Sequence, residues 1–299
     1  MHDGLIVKAL SGYYYVLPDQ DDGTVLRLRA RGVFKKHGVT PLVGDRVRFE
    51  RTAGHEDGRI VEVLDRTNEL VRPPIANVDQ AIVVFSLREP ELHLTLLDRF
   101  LVQCESNDVD SIICLSKADL CTDEECQQIC EETVKLYTAA GYPVVIASVK
   151  DGRGLNELRQ YLEGKISVFA GQSGVGKSSL LNALIPGVEL ATGDVSRKLG
   201  RGRHTTRHVE LLRAGERGFV ADTPGFSQLD FFGMEAEDLS HCFREFREPA
   251  TRCKFRGCLH REEPGCAVVE AVEQNLISEL RYRNYLQFLT EIQEKKRRY

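Results

Sequence analysis

Nowhere in the 299 residues does an apolar run approach the roughly 20 residues that a bilayer-spanning helix requires, so a helical membrane protein is excluded. The start Met1-His2-Asp3 lacks the basic residues of a secretory signal, and the chain is therefore expected to be cytoplasmic with no membrane partner. Internal repeats and low-complexity tracts are missing too, which leaves neither a solenoid nor a disordered tail to account for. Charge of neither sign dominates: 40 Lys and Arg face 45 Asp and Glu, with the acid excess confined to residues 73–231. Overall charge thus neither requires nor excludes a nucleic-acid partner. Cysteine, by contrast, is plentiful. Nine cysteines in a cytosolic chain of this length argue against a disulfide framework and for reduced core thiols or metal ligands.

What is present centres on Gly171-Gln172-Ser173-Gly174-Val175-Gly176-Lys177-Ser178, which satisfies the pattern G-x-x-x-x-G-K-[ST]. It follows the apolar run Ile166 to Ala170 and precedes the helix-like stretch Ser179 to Leu184, the context this pattern needs. The glycines let the backbone approach phosphate, so that successive N–H groups surround an anion at a helix N-terminus. Lys177 adds a point charge, and Ser178 offers a hydroxyl to a magnesium ion bridging phosphate oxygens.

Three regions follow from the pattern. Residues 1–72 alternate apolar and polar residues in five short runs, Leu5–Ala9, Tyr13–Leu17, Val25–Ala30, Arg46–Glu50 and Ile60–Leu64, separated by turn residues. That spacing predicts an all-β barrel of the oligonucleotide-binding (OB-fold) type. Arg27, Arg29, Arg31, Lys35 and Lys36, with Phe34 among them and no acid, predict a phosphate-tracking stripe; a solvated strand face is the plain alternative. Arg72-Pro73-Pro74 reads as a stiff linker. Residues 73–231 then alternate longer apolar strands with helical periodicity, the signature of a mostly parallel α/β sheet. Residues 232–299 are helical in pattern around a cysteine-rich loop and form a third, small domain. The whole is a multidomain α/β protein.

Two further stretches address the nucleotide. Ser116-Lys117-Ala118-Asp119, at a strand end, resembles the guanine-reading [NT]-K-x-D motif. The carboxylate of Asp119 can accept from guanine's ring N–H and exocyclic amino group, a pair of donors adenine lacks, which opposes an ATPase or kinase. Lys117 covers the base plane, and Ser116 keeps part of the bonding capacity of the usual Thr. Ala147-Ser148-Val149-Lys150 resembles the loop that supports the guanine carbonyl, which makes Ser148 a candidate contact. Asp222-Thr223-Pro224-Gly225 follows a strand; Asp222 is expected to order magnesium and Gly225 to meet the γ-phosphate. In Gly200-Arg201-Gly202-Arg203-His204-Thr205-Thr206-Arg207-His208, where the switch loop belongs, Thr205 is preferred over Thr206 for the magnesium shell. Phe226 stands where many GTPases carry a water-orienting Gln, which leaves His204 as the candidate catalytic group.

The base-reading stretches precede the phosphate loop, the reverse of the ordinary GTPase order. Joining the original termini and cutting elsewhere restores the same sheet, so the domain is circularly permuted. Beyond it, Cys253-x4-Cys258-x-His260-x5-Cys266 offers three thiolates and an imidazole, the donors of a closed structural zinc site. Cys121, Cys126 and Cys130 form a rival cluster on a helical stretch without His and are expected to be partly buried thiols.

Taken together, the barrel, the permuted order, G-R-G-x-H-T-T-R and C-x4-C-x-H-x5-C make the chain resemble the ribosome small-subunit-dependent GTPase A family of bacterial circularly permuted GTPases, over essentially its whole length. The resemblance implies an N-terminal OB-fold, hydrolysis of GTP to GDP stimulated by the small ribosomal subunit, rRNA binding, and a part in late maturation of that subunit, by a protein expected to be monomeric. It places nucleotide contacts on Ser116, Lys117, Ala118 and Asp119 and on Gly171, Gln172, Ser173, Gly174, Val175, Gly176, Lys177, Ser178 and Ser179, and one Zn2+ on Cys253, Cys258, His260 and Cys266. A GTP-controlled RNA-binding module in which hydrolysis is incidental is the alternative.

Overall fold

Short strands with partial inside–outside alternation at the N-terminus close into a barrel in the computed structural model, which describes residues 1–20, 23–30, 34, 39–51, 58–71, 73–185, 187, 209–221, 230–231 and 233–297. Its strands are β1 (His2–Leu10), β2 (Tyr13–Pro18), β3 (Leu26–Ala30), β4 (Arg46–Glu50) and β5 (Gly58–Val63), joined in the order β1-β2-β3-β5-β4. Within β3, Leu28 is buried while Arg27 and Arg29 point to solvent, as a period of two requires. Val16, Leu28, Val47, Phe49 and Ile60 fill the interior. Closure removes the sheet edges that a small β domain would otherwise expose.

The expected Pro-Pro linker is instead part of a two-stranded hairpin, β6 (Glu69–Val71) and β7 (Pro74–Ala76), with Leu70 opposite Ile75 and Val71 opposite Pro74. Burial outweighs the stiffness of the prolines here. Leu70 and Ile75 are buried, and the Ala76 N–H donates to the Val43 carbonyl at 2.9 Å. Gly44 lies so close that a Cβ there would stand 2.0 Å from the Ala76 oxygen. Pro74 is tolerated because it opens its strand, where no ladder N–H is needed.

After the hairpin come β8 (Gln80–Ser86), α1 (Leu94–Glu105), β9 (Asp110–Ser116), α2 (Glu124–Ala139), β10 (Val144–Ile146), α3 (Leu155–Leu162), β11 (Ile166–Ala170), α4 (Lys177–Leu184), β12 (Leu211–Ala214) and β13 (Gly218–Ala221). The sheet order is β10-β9-β8-β11-β13-β12, with β10 parallel to β9, β11 parallel to β13 and β12 antiparallel at the edge. Every residue of β8 is buried, the continuous apolar pattern of a strand covered on both faces. The C-terminal part carries α5 (Arg247–Ala250), α6 (Ala267–Glu273) and α7 (Glu279–Arg297).

By contact density the chain divides into two units. The first comprises Met1–Ala81, Leu155–Phe169 and Lys177–Ser227; the second comprises Ile82–Gly154, Ala170–Gly176 and Gln228–Tyr299. In the first, the barrel meets β12 through an isolated antiparallel bridge between Lys8 and Glu210, whose side chains pair at 2.8 Å. In the second, α7 is fastened to α1 by a buried polar network. Arg281 Nη1 donates to Asp98 Oδ1 at 2.6 Å and its other nitrogens clasp Glu245, while Asn284 Nδ2 donates to Asp98 Oδ2 at 2.6 Å. Tyr137 of α2 also donates to Asp98. Arg281 is fully buried, and the two carboxylates hold its guanidinium well above the ordinary arginine range despite burial, which acts the other way.

Among the described residues, no helix is long and apolar enough to cross a membrane. The expectation of unpaired thiols fails at one place. Cys121 and Cys126 are joined by a disulfide across a Cα–Cα distance of 5.4 Å, and Cys130 keeps a free, buried thiol. The turn of chain that separates helix α2 from the preceding strand brings the two sulfurs together, a proximity that spacing alone did not reveal.

Candidate functional site

β11 runs into Gly171, and the loop Gly171–Gly176 turns on three glycines with φ of 134°, 86° and 94° at Gly171, Gly174 and Gly176. A Cβ on Gly171 would lie 2.2 Å from the Val84 carbonyl oxygen, so the loop can pass over β8 only without a side chain. Val175 is fully buried and anchors the loop, while Ser173 and Gly174 are exposed at its crest. Such a turn presents backbone N–H groups to an anion. Lys177, Ser178 and Ser179 form the first turn of α4, which contains no acid. Burial pushes the Lys177 ammonium down to about 8, the mark of a cation held out of water.

The base-reading stretch is tied to that loop by a single hydroxyl. Ser116, buried at the end of β9, donates to the Val175 carbonyl at 2.6 Å. Lys117 adopts a left-handed conformation with φ 56°; its stem passes 3.9 Å from the Cβ position of Gly176, and its ammonium donates to the Glu89 carbonyl. Ala118–Leu120 is one turn of 3-10 helix, which places the Asp119 carboxylate at the strand end. Asp119 Oδ1 accepts from Ser148 Oγ at 2.9 Å. The Ser148 oxygen in turn accepts from the Lys150 and Asp151 N–H groups at 3.2 and 3.3 Å, and the Ser148 N–H donates to the Arg153 carbonyl. One serine therefore folds the loop 148–153 and holds Asp119 to it. Ser116 through Asp119, Ser148 and Gly171 through Gly176 come together in one unit. A carboxylate with further acceptor capacity, a lysine stem and a concave loop of N–H groups form the arrangement a guanine nucleotide needs.

In the C-terminal part the ligand atoms of Cys253, Cys258, His260 and Cys266 lie within 4.8 Å of one another. His260 Nδ1 is 3.4 Å from Cys266 Sγ and 3.6 Å from Cys253 Sγ, and the two sulfurs are 3.9 Å apart. A tetrahedron with metal–sulfur arms of about 2.3 Å has edges of about 3.8 Å, so the donor set and its spacing fit one zinc ion. The knuckle is preorganised. Glu263 accepts the Leu259 and Arg261 N–H groups, Tyr285 and Tyr282 donate to the Leu259 and His260 carbonyls, and the Phe246 ring meets the imidazole edge-on. Burial lowers the His260 pKa, which favours the neutral imidazole a metal binds. Among the described residues, this is the one group of three or more such side chains arranged to hold a metal.

His204, Thr205, Asp222 and Gly225, with Phe226, lie outside the described residues, as do Arg31, Lys35 and Lys36 of the basic stripe. Of that stripe, Arg27 and Arg29 are exposed on β3, and both guanidiniums lie over the ring of Tyr13 on β2, at 5.0 and 4.6 Å from its centroid. Tyr13 was not singled out from sequence. Its signal was the alternation of Tyr13 and Tyr15 opposite Arg29 and Arg27, legible only once the strand register is known.

Two family models match the chain, that of the RsgA N-terminal domain over residues 3–60 and that of the RsgA GTPase over residues 63–232. A Bacillus pumilus protein described as small ribosomal subunit biogenesis GTPase RsgA is 54% identical over 305 residues, and its Bacillus subtilis counterpart 49% over 300 residues. Both matches cover 100% of each chain. Among solved structures, YloQ, described as a circularly permuted GTPase, is 46% identical with a TM-score of 0.87, covering 99% of this chain and 96% of its own. YjeQ from Thermotoga maritima is 38% identical with a TM-score of 0.86, covering 97% and 98%. The permuted order of the nucleotide motifs, the five-stranded barrel and these full-length matches have one explanation: the chain belongs to the RsgA family of circularly permuted GTPases, hydrolases acting on GTP.

Proposed function

We propose that this GTPase acts in late maturation of the small ribosomal subunit, binding its rRNA and hydrolysing GTP to GDP and phosphate faster when the subunit is bound. The full-length relatives described as small ribosomal subunit biogenesis GTPases support the setting. The observation that carries the chemistry is the line Val175–Ser116–Asp119–Ser148, which couples the phosphate loop to the base reader through hydrogen bonds of 2.6 and 2.9 Å. In this reading residues 1–72 bind RNA, 73–231 bind and hydrolyse GTP, and 232–299 form a zinc-stabilised helical module in a monomeric, cytoplasmic protein.

Asp119 accepts from the guanine edge and Lys117 covers the base. Ala118 and Ser148 line the base from the backbone side. The N–H groups of Gly171, Gln172, Ser173, Gly174, Val175 and Gly176 wrap the phosphates, with Lys177 and Ser179 at the helix start. Magnesium, held through Ser178 with Thr205 and Asp222, would neutralise charge on the phosphate oxygens. Gly225 approaches the terminal phosphate with its N–H, and His204 positions the attacking water that Phe226 cannot orient. On the barrel, Arg27 and Arg29, laid over the Tyr13 ring, offer phosphate contacts and planar guanidiniums on which a base can stack. Cys253, Cys258, His260 and Cys266 hold zinc as a structural ion.

Phe226 favours a second reading, a GTP-controlled RNA-binding module with incidental hydrolysis. Cosedimentation with isolated small subunits under GDP, GTP and a non-hydrolysable analogue, together with competition of labelled GTP by GTP and ATP, tests the proposal. Nucleotide-dependent cosedimentation and displacement by GTP alone are expected. Displacement by ATP, or no association with the subunit in any nucleotide state, would overturn it.

A further inference from the structure

The disulfide between Cys121 and Cys126 adjoins the base-reading turn. Cys121 caps the 3-10 turn that carries Asp119, its N–H donating to the Ala118 carbonyl at 3.1 Å. Cys126 lies in the first turn of α2, its N–H held by the N-cap carboxylate of Asp123 at 2.9 Å, and Asp123 is paired with Arg88 at 2.5 Å. The bond thus staples the base-reading turn to a fixed helix start across five positions of sequence. A cavity of about 500 Å³ opens beside it, lined by Asp119, Cys121, Cys130, Asp151 and Arg153 among others.

We propose that Cys121 and Cys126 form a reversible thiol–disulfide exchange site that tightens guanine-nucleotide binding when oxidised and loosens it when reduced. This rests on the reading of Asp119 as the guanine acceptor. The two sulfurs are not equivalent. Cys121 is partly exposed and lines the cavity, whereas Cys126 is buried. A thiolate of a dithiol reductant therefore attacks the Cys121 sulfur. The Cys121–Cys126 bond breaks, and its electron pair leaves on Cys126, which takes up a proton. The second thiol of the reductant attacks the mixed disulfide, leaves as a cyclic disulfide and frees Cys121. Two electrons and two protons pass from the dithiol to the protein, and the reverse reaction restores the staple. Cys130 does not compete, because burial raises its thiol pKa and keeps it protonated.

Once cut, the turn keeps the Ser148 bond to Asp119 and the Ala118 N–H bond to the Ala147 carbonyl, and loses its covalent tie to α2. If the reduced turn occupies the binding geometry a tenth of the time, apparent affinity falls about tenfold. The test is equilibrium titration of the full-length, zinc-loaded chain with a fluorescent GDP analogue, after treatment with a thiol oxidant or with a dithiol, with peptide mapping of the bond and zinc content measured in each state. Affinity about tenfold weaker in the reduced protein is expected. The Cys121→Ser/Cys126→Ser variant should bind with the reduced protein's affinity after either treatment, and Cys130→Ser should respond like the wild type. Equal affinities in both states, no Cys121–Cys126 bond after oxidation, or a redox response that survives in the double variant would each overturn the proposal. Loss of guanine binding in both states would instead overturn the assignment of Asp119, and the exchange site's role with it.

Discussion

Asp119 accepts one hydrogen bond from Ser148 and retains acceptor capacity for a base, so its chemistry can be tested without dismantling the loop. Asp119→Asn should shift preference from GTP toward xanthosine triphosphate, because the amide donates where the carboxylate accepts. Competition binding with the two nucleotides reads this directly, and unchanged guanine selectivity would remove Asp119 from the site. Ser116→Ala deletes the buried donor to the Val175 carbonyl and leaves that oxygen without this partner. A loss of about 1–2 kcal/mol, or roughly 5- to 30-fold in nucleotide affinity, is expected by equilibrium titration. His204→Ala should leave GTP affinity and subunit binding nearly intact while lowering stimulated turnover on the order of 10²-fold, as a lost positioned base does. At this scale sequence spacing could pick out what is local: Gly171–Gly176 turns on three positive-φ glycines, and the Cys3His donors cluster. It could not reveal the Ser148–Asp119 bond, the contact of Tyr13 with Arg27 and Arg29 or the Cys121–Cys126 disulfide. Each of these depends on how separate stretches meet in space.

Elements were most legible where one period held over many residues. Helix α1 buries Leu97, Leu101 and Cys104 at helical spacing, and β8 carries the apolar run Ala81–Phe85. The β6–β7 hairpin was hidden because Pro73-Pro74 is locally indistinguishable from a linker. Contact of Ile75 and Ala76 with Val43 and Gly44, some thirty residues away, decides its conformation. The zinc knuckle and α7 are held by different means, which separates their responses. Cys258→Ala should abolish zinc in metal analysis and raise hydrogen exchange in the loop before α6, while α7 stays protected through Asp98, Asn284 and Glu245. Arg281→Met should do the opposite. It leaves the buried carboxylates of Asp98 and Glu245 without this cation, Asp98 keeping Tyr137 and Asn284 as donors, and should cost about 3–5 kcal/mol in denaturant unfolding with zinc retained. Zinc loss in Arg281→Met, with stability unchanged, would refute that division.

At the scale of the whole molecule, circular permutation decides which parts can influence one another along the chain. The base-reading motifs come first, the phosphate loop next, and Asp222 leads directly toward the zinc module, so the nucleotide-sensing segment adjoins the C-terminal part rather than the middle of its domain. Within its own unit, the barrel bridges Glu210, immediately before β12, through Lys8 of β1. The proposed RNA-binding role of the barrel and the absence of the usual Gln after Gly225 together imply an enzyme that waits for its partner. Steady-state GTP turnover, with and without saturating small ribosomal subunits, tests this most directly. The account predicts slow hydrolysis by the chain alone and stimulation on the order of 10²-fold or more by small subunits. Equal turnover in their presence and absence, or equal stimulation by large subunits, would contradict it.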